Sequence, residues 1–144
     1  MNRNKVMKFF MIMLPPMAFG LATTMDSLMV YDTVSGVTSY YSYFQQVPGV
    51  PMALLAAVGG IMCIPVFILA VVAAVKEKPW VLAAVKWLSF GSACCAVAPI
   101  LLRGEVMVVP NVTLPLLMMV EFAVAYFAEK KKAEPAVKVG PRIR

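Results

Sequence analysis

The chain contains no histidine. That absence removes bis-histidine haem ligation, histidine-bound zinc, the facial triad of non-haem iron and histidine general bases. Cysteine is scarce. Cys63, Cys94 and Cys95 are the whole set and none sits in a C-x-x-C, so disulfide-exchange chemistry lacks its motif. No glycine-rich phosphate loop, nucleophile–base pair or zinc-type spacing occurs. Charge is also thin along most of the chain: residues 26–49 carry two acids and no base, and residues 50–75 carry no charge at all. These absences point away from catalysis, and no catalytic residue is assigned.

What the chain does have is apolar length. It is 62% hydrophobic with a mean hydropathy of +0.84, whereas soluble domains are about 45–50% apolar. The excess is gathered into runs close to the roughly 20 residues that cross a bilayer. Open sheet edges cannot be satisfied in lipid, and the strict alternation of a membrane β-barrel is missing. The expected fold is therefore all-α, a polytopic transmembrane four-helix bundle. Its spans are placed at about 6–24, 50–75, 80–102 and 106–127, with an outer loop at 26–49. Residues 1–128 form the membrane domain, and 129–144 form a polar, basic tail.

Net charge is +6. The bases cluster at the N-terminus, at Lys76 and Lys78 and in the tail, whereas the two opposite connections hold only Arg103. The positive-inside rule then places both termini on the cytoplasmic (or matrix or stromal) side of a bacterial inner membrane or an organelle membrane. The same clustering accounts for the charge without nucleic acid. MNRNKVMK followed by an apolar run also fits a signal peptide, with Ala18-Phe19-Gly20 as a loose processing site. Pro15–Pro16 interrupts that run, and an uncleaved first span is the preferred reading.

Two ionisable residues fall inside apolar runs. Lys86 lies about seven residues from one end of the third span and Glu121 about seven from the matching end of the fourth. In an antiparallel hairpin both sit roughly 10 Å deep at 1.5 Å per residue. The matched depth points to an intramembrane Lys86–Glu121 pair. Snorkelling of Lys86, pairing with another subunit and proton or cation transfer through Glu121 are the competing readings.

Small residues mark expected helix-packing positions: Gly59 and Gly60 in the second span, and Gly91, Ser92 and Ala96 in the third. Pro65 is expected to bend the second span. Tyr40, Tyr41, Tyr43 and Phe44 form a dense aromatic patch, read either as an interfacial belt or as a partner-contact surface. Cys63 and Cys94 lie at compatible depths, and with the many Met residues they raise a soft Cu(I)-type site. Buried free Cys is more often a small apolar filler, and no metal is assigned. Asp26, Asp32 and Glu105 share the outer side as solvated loop acids or an acidic rim. The Asn111-Val112-Thr113 sequon abuts an apolar run, too close to the membrane for a large sugar.

The layout of four spans, inward termini and a long first outer loop resembles claudin-like tetraspan proteins. That family's loop motif requires a Trp and a cysteine pair, and this loop has neither. Four-span quinone oxidoreductases need C-x-x-C, and small multidrug exporters need a glutamate in the first span. Neither feature is present, so no family is assigned. The expected role is a non-catalytic accessory or structural subunit of a larger membrane complex, with an energy-transducing assembly as one home. The alternative is a small oligomeric channel or transporter using Glu121 and Lys86. Expected partners are membrane lipid and larger membrane subunits or further copies of the chain. No cofactor beyond bound lipid is expected.

Overall fold

The computed structural model describes residues 3–23, 28–45, 53–76, 78–101 and 106–133. The chain is 76% helical over these segments, with four helices. They are α1 (Arg3–Ala22), α2 (Ala53–Lys76), α3 (Pro79–Leu101) and α4 (Thr113–Ala133). Three of them, over Lys5–Ala22, Ala53–Lys76 and Pro79–Ile100, are long and apolar enough to cross a membrane. Three short strands accompany the helices: β1 (Leu28–Asp32), β2 (Thr38–Tyr41) and β3 (Val106–Pro110). They form one antiparallel sheet in the order β2-β1-β3.

The sheet is an addition to the expected helical fold. It takes one hairpin from the connection after α1 and one strand from the connection after α3, so those two connections meet at one end of the molecule. This is the sheet end of the molecule. The lipid argument against open edges does not reach strands that lie beyond the helices. The hairpin turn explains itself. Asp32 Oδ1 accepts from the Val34 amide at 2.9 Å and Oδ2 from the Ser35 hydroxyl at 2.6 Å. Gly36 adopts φ 69°, a left-handed conformation that a side chain resists.

The fourth helix corrects the expected 106–127 span. Residues 106–110 are strand, and the helix starts at Thr113 and continues through Lys130 and Lys131. Pro110 ends the strand. Asn111 Oδ1 then accepts from the Thr113 amide at 2.9 Å and the Thr113 hydroxyl at 2.6 Å. A side-chain oxygen that takes an otherwise orphaned amide is a helix-start device. At the other end of the α3–α4 hairpin, Pro79 opens α3, and the Lys78 carbonyl accepts from Val81 and Leu82.

α1 packs against α2 and α4, α2 against α3, and α3 against α4, closing a ring. The side that α2 turns into it is built mainly from small residues. On α2 the buried positions are Ala53, Ala56, Gly59, Gly60, Cys63, Val66, Ala70 and Ala73, while Ile61, Ile64, Phe67 and Ile68 point outward. Large apolar side chains outside and small ones inside are what close helix packing in lipid requires. Pro15, Pro16 and Pro65 lie inside continuous helices.

Candidate functional site

The ring interior carries a short polar thread where α2, α3 and α4 meet. The Ser92 hydroxyl donates to the Gly59 carbonyl at 2.7 Å. Cys63 Sγ lies 3.7 Å from that carbonyl, 3.9 Å from Ser92 Oγ and 3.7 Å from Met118 Sδ. Ser89 returns its hydroxyl to the Val85 carbonyl at 2.7 Å. The two hydroxyls thus have partners, which is how polar side chains are accommodated in an apolar interior.

Glu121 is the exception. It follows Met118 by one turn on the buried stripe Leu114–Met118–Glu121–Ala125 and is 0% exposed. Neither of its carboxyl oxygens has a hydrogen-bond partner among the described residues. The expected pairing with Lys86 is not formed. Lys86 Nζ instead meets the carboxylate of Glu129, two turns further along α4. It also sits 5.4 Å from the Trp87 ring centroid and 5.9 Å from that of Tyr126. The physical reason is the reach of the lysine stem. It extends toward the end of the hairpin remote from the sheet, and α4 runs far enough to present Glu129 there. Matching Cα depths ignored the length of that stem. Glu129, assigned to a polar tail by its sequence, is in fact inside the helix.

The small residues gather as packing points. A Cβ built on Gly59 would lie 2.9 Å from the Ala96 amide and 2.9 Å from the Ser92 carbonyl, so the α2 and α3 backbones touch there. A Cβ on Gly60 would meet Phe44 at 2.9 Å and Ala22 at 3.3 Å. Gly91 faces only the tip of Met62, at 3.2 Å. Cys63 is buried, whereas Cys94 is exposed on the outer side of α3. The two expected partners in a soft-metal site therefore face different ways. Cys94 lines a shallow apolar groove of about 420 Å³ with Val97, Pro115, Leu116 and Met119.

The aromatic patch divides. Tyr43 is 1% exposed. Its amide donates to the Ala22 carbonyl at 3.2 Å and its hydroxyl to the Asn111 carbonyl at 3.2 Å. It ties α1 to the start of α4 and offers nothing to a partner. Phe44 leans on Phe19 with ring centroids 5.8 Å apart. Tyr41 is half-buried, and only Tyr40 stands well clear, at 58% exposure. Strand alternation separates Tyr40 from Tyr41, because neighbouring residues face opposite sides, and Tyr43 and Phe44 follow in the turn beyond β2.

That alternation builds a surface that the apolar runs alone do not announce. Leu28, Val30, Val108 and Pro110 turn inward and are buried. The opposite face carries two cross-strand rows, Tyr40–Met29–Val109 and Thr38–Tyr31–Met107. All six side chains are exposed or half-buried, and five are apolar or aromatic. The available signal was the alternating LMVYD and TSYY around DTVSG, a hairpin pattern with a glycine in its turn. Asp32, beside this face, is held below the usual carboxyl range by its hydrogen bonds to the Ser35 hydroxyl and the Val34 amide. Asp26 and Glu105 lie outside the described residues.

No protein-family model matches this chain, and no curated protein or solved structure matches it either.

Proposed function

We propose that this chain is a non-catalytic accessory subunit of a larger membrane assembly, anchored by a bundle of four transmembrane helices and docked through the outward face of its sheet. α4 serves as the fourth span in this reading. Its Glu121 is turned into the ring, and its Glu129 is neutralised by Lys86. The bases at both termini and at Lys76 and Lys78 favour a cytoplasmic, matrix or stromal side for those ends. The sheet then stands in water on the other side.

The observation that carries the reading is the face of Met29, Tyr31, Thr38, Tyr40, Met107 and Val109. Contiguous apolar surface in water is costly to leave uncovered, and Tyr and Met are enriched where proteins meet. Tyr suits this use because two torsions hold a large contact area. The test is the native mass of the protein extracted in mild detergent, with co-migrating chains identified, for the wild type and for Tyr31→Ser/Tyr40→Ser. A larger partner at fixed stoichiometry, lost in the double variant, is the expected result. A lone monomer or a pure homo-oligomer sinks the reading.

The second reading is a small oligomeric channel or transporter using Glu121. It is favoured by one observation, the absence of a partner for that carboxyl among the described residues. Buried intramembrane acids often mark ion pathways. Flux through reconstituted protein that Glu121→Gln abolishes would move the assignment to this class.

A further inference from the structure

A second anomaly accompanies the unpartnered carboxyl of Glu121, on the neighbouring helix α1. α1 runs through Pro15 and Pro16, and proline has no amide hydrogen to donate. The Met11 carbonyl would normally accept from residue 15, and the Ile12 carbonyl from residue 16, so both lose their helical donor. Residue 15 is also the tighter-turn donor for Ile12, so that route is closed as well. Met11 and Pro15 are buried and mark the ring-facing side of this break.

Residue counting from the sheet end puts the two anomalies at comparable depth. Tyr43 ties the Ala22 carbonyl of α1 to the Asn111 carbonyl before α4. Ten residues in from Ala22 is Ile12, and ten residues in from Asn111 is Glu121, about 15 Å from the sheet end in both cases. The buried stripes agree. Met11–Leu14–Pro15–Ala18–Ala22 on α1 runs opposite Ala125–Glu121–Met118–Leu114 on α4, and the two helices pack together. These counts and stripes put Glu121 on the α1-facing interior at a depth comparable to the Met11–Pro15 segment.

A buried acid with no hydrogen-bond partner among the described residues and a carbonyl that has lost its α-helical donor solve each other's problem if the acid carries a hydrogen. An ionised carboxylate is acceptor-only, whereas a protonated one has an O–H to give. An unpaired charge in an apolar interior neutralises instead of staying charged. Among the described residues, the charged groups on the adjoining helices do not supply a counter-ion. Lys86 on α3 is taken by Glu129 of α4, and α2 presents only the Cys63 thiol. Lys8 on α1 lies a turn further from the sheet, and Glu121 has no hydrogen bond to it.

We propose that Glu121 is a proton-binding site inside the helix ring, whose single carboxyl O–H donates to the Met11 backbone carbonyl, which Pro15 deprives of its helical donor on the buried side of the break. The proton is the ligand, and Pro15 is what creates its acceptor. This inference does not depend on what the outer sheet binds.

The experiment is infrared spectroscopy of the full chain in lipid at neutral pH. The wild type should show the carbonyl stretch of a protonated carboxylic acid, shifted by isotopically labelled glutamate and lost in Glu121→Gln. In Pro15→Ala/Pro16→Ala the helix regains its own amides, so the band should persist at a shifted position. Absence of a protonated-acid band in the wild type overturns the proposal, and because the labelling is done on the wild type, that outcome does not depend on whether a variant folds. A band that does not move in the alanine double variant overturns the pairing with α1.

Discussion

Tyr43 shows how much a single side chain can decide. It sits beside Tyr41 and Phe44 in a run that reads as one aromatic patch. Its backbone and its hydroxyl are both committed to internal carbonyls, and burial, with Cys63 adding to it, holds its phenol well above the usual value of 10.0. The sign of the pH effect follows. In the unfolded chain this phenol ionises near 10.0, whereas in the folded chain it stays neutral. Its contribution is complete below that pH and is lost as pH rises above it. An alkaline absorbance titration should show a late tyrosine step that is missing in Tyr43→Phe. That variant should also lose about 1 kcal/mol, the worth of one hydrogen bond to a carbonyl left unpaired. A late step that survives the substitution would contradict this assignment. The sequence offered tyrosine density but not direction, because Tyr43 lies in the turn after β2 and is held inward by Ala22 and Asn111, both distant in the chain.

At the scale of elements, the α2–α3 crossing is held by contact of backbone with backbone. Gly59 meets the Ala96 amide and the Ser92 carbonyl, and backbone atoms cannot swing aside as a side chain can. Gly59→Leu should therefore destabilise by about 1–3 kcal/mol or more, as overpacking does. Gly91→Ala should be nearly neutral, since only the flexible tip of Met62 must yield. Unfolding in detergent by denaturant measures both. Equal losses would mean that the crossing is not the tight point. The small residues repeat at the period of a helix, which a sequence displays, but which of them makes a tight contact, Gly59 and not Gly91, it does not. The start of α4 was not. Val106 to Pro110 is as apolar as a span, and an apolar run of five does not by itself distinguish strand from helix.

For the whole molecule, the proposed topology makes a direct prediction. A cysteine at Ser35, in the exposed hairpin turn, should react with a membrane-impermeant thiol reagent added to intact cells. One at Lys78 should react only after permeabilisation. Both variants should be made in a background lacking the three native cysteines. Labelling of Lys78→Cys in intact cells would reverse the orientation. Composition, long apolar runs and the placement of bases determined by themselves that helices dominate this chain, because lipid leaves the backbone few alternatives and charge marks where the runs end. Only the tertiary structure decided that Lys86 meets Glu129, that the buried Glu121 carboxyl has no hydrogen-bond partner among the described residues, and that two distant connections share one sheet. These outcomes depend on the reach of side chains and the register of strands between segments far apart in the chain, and a linear pattern carries neither.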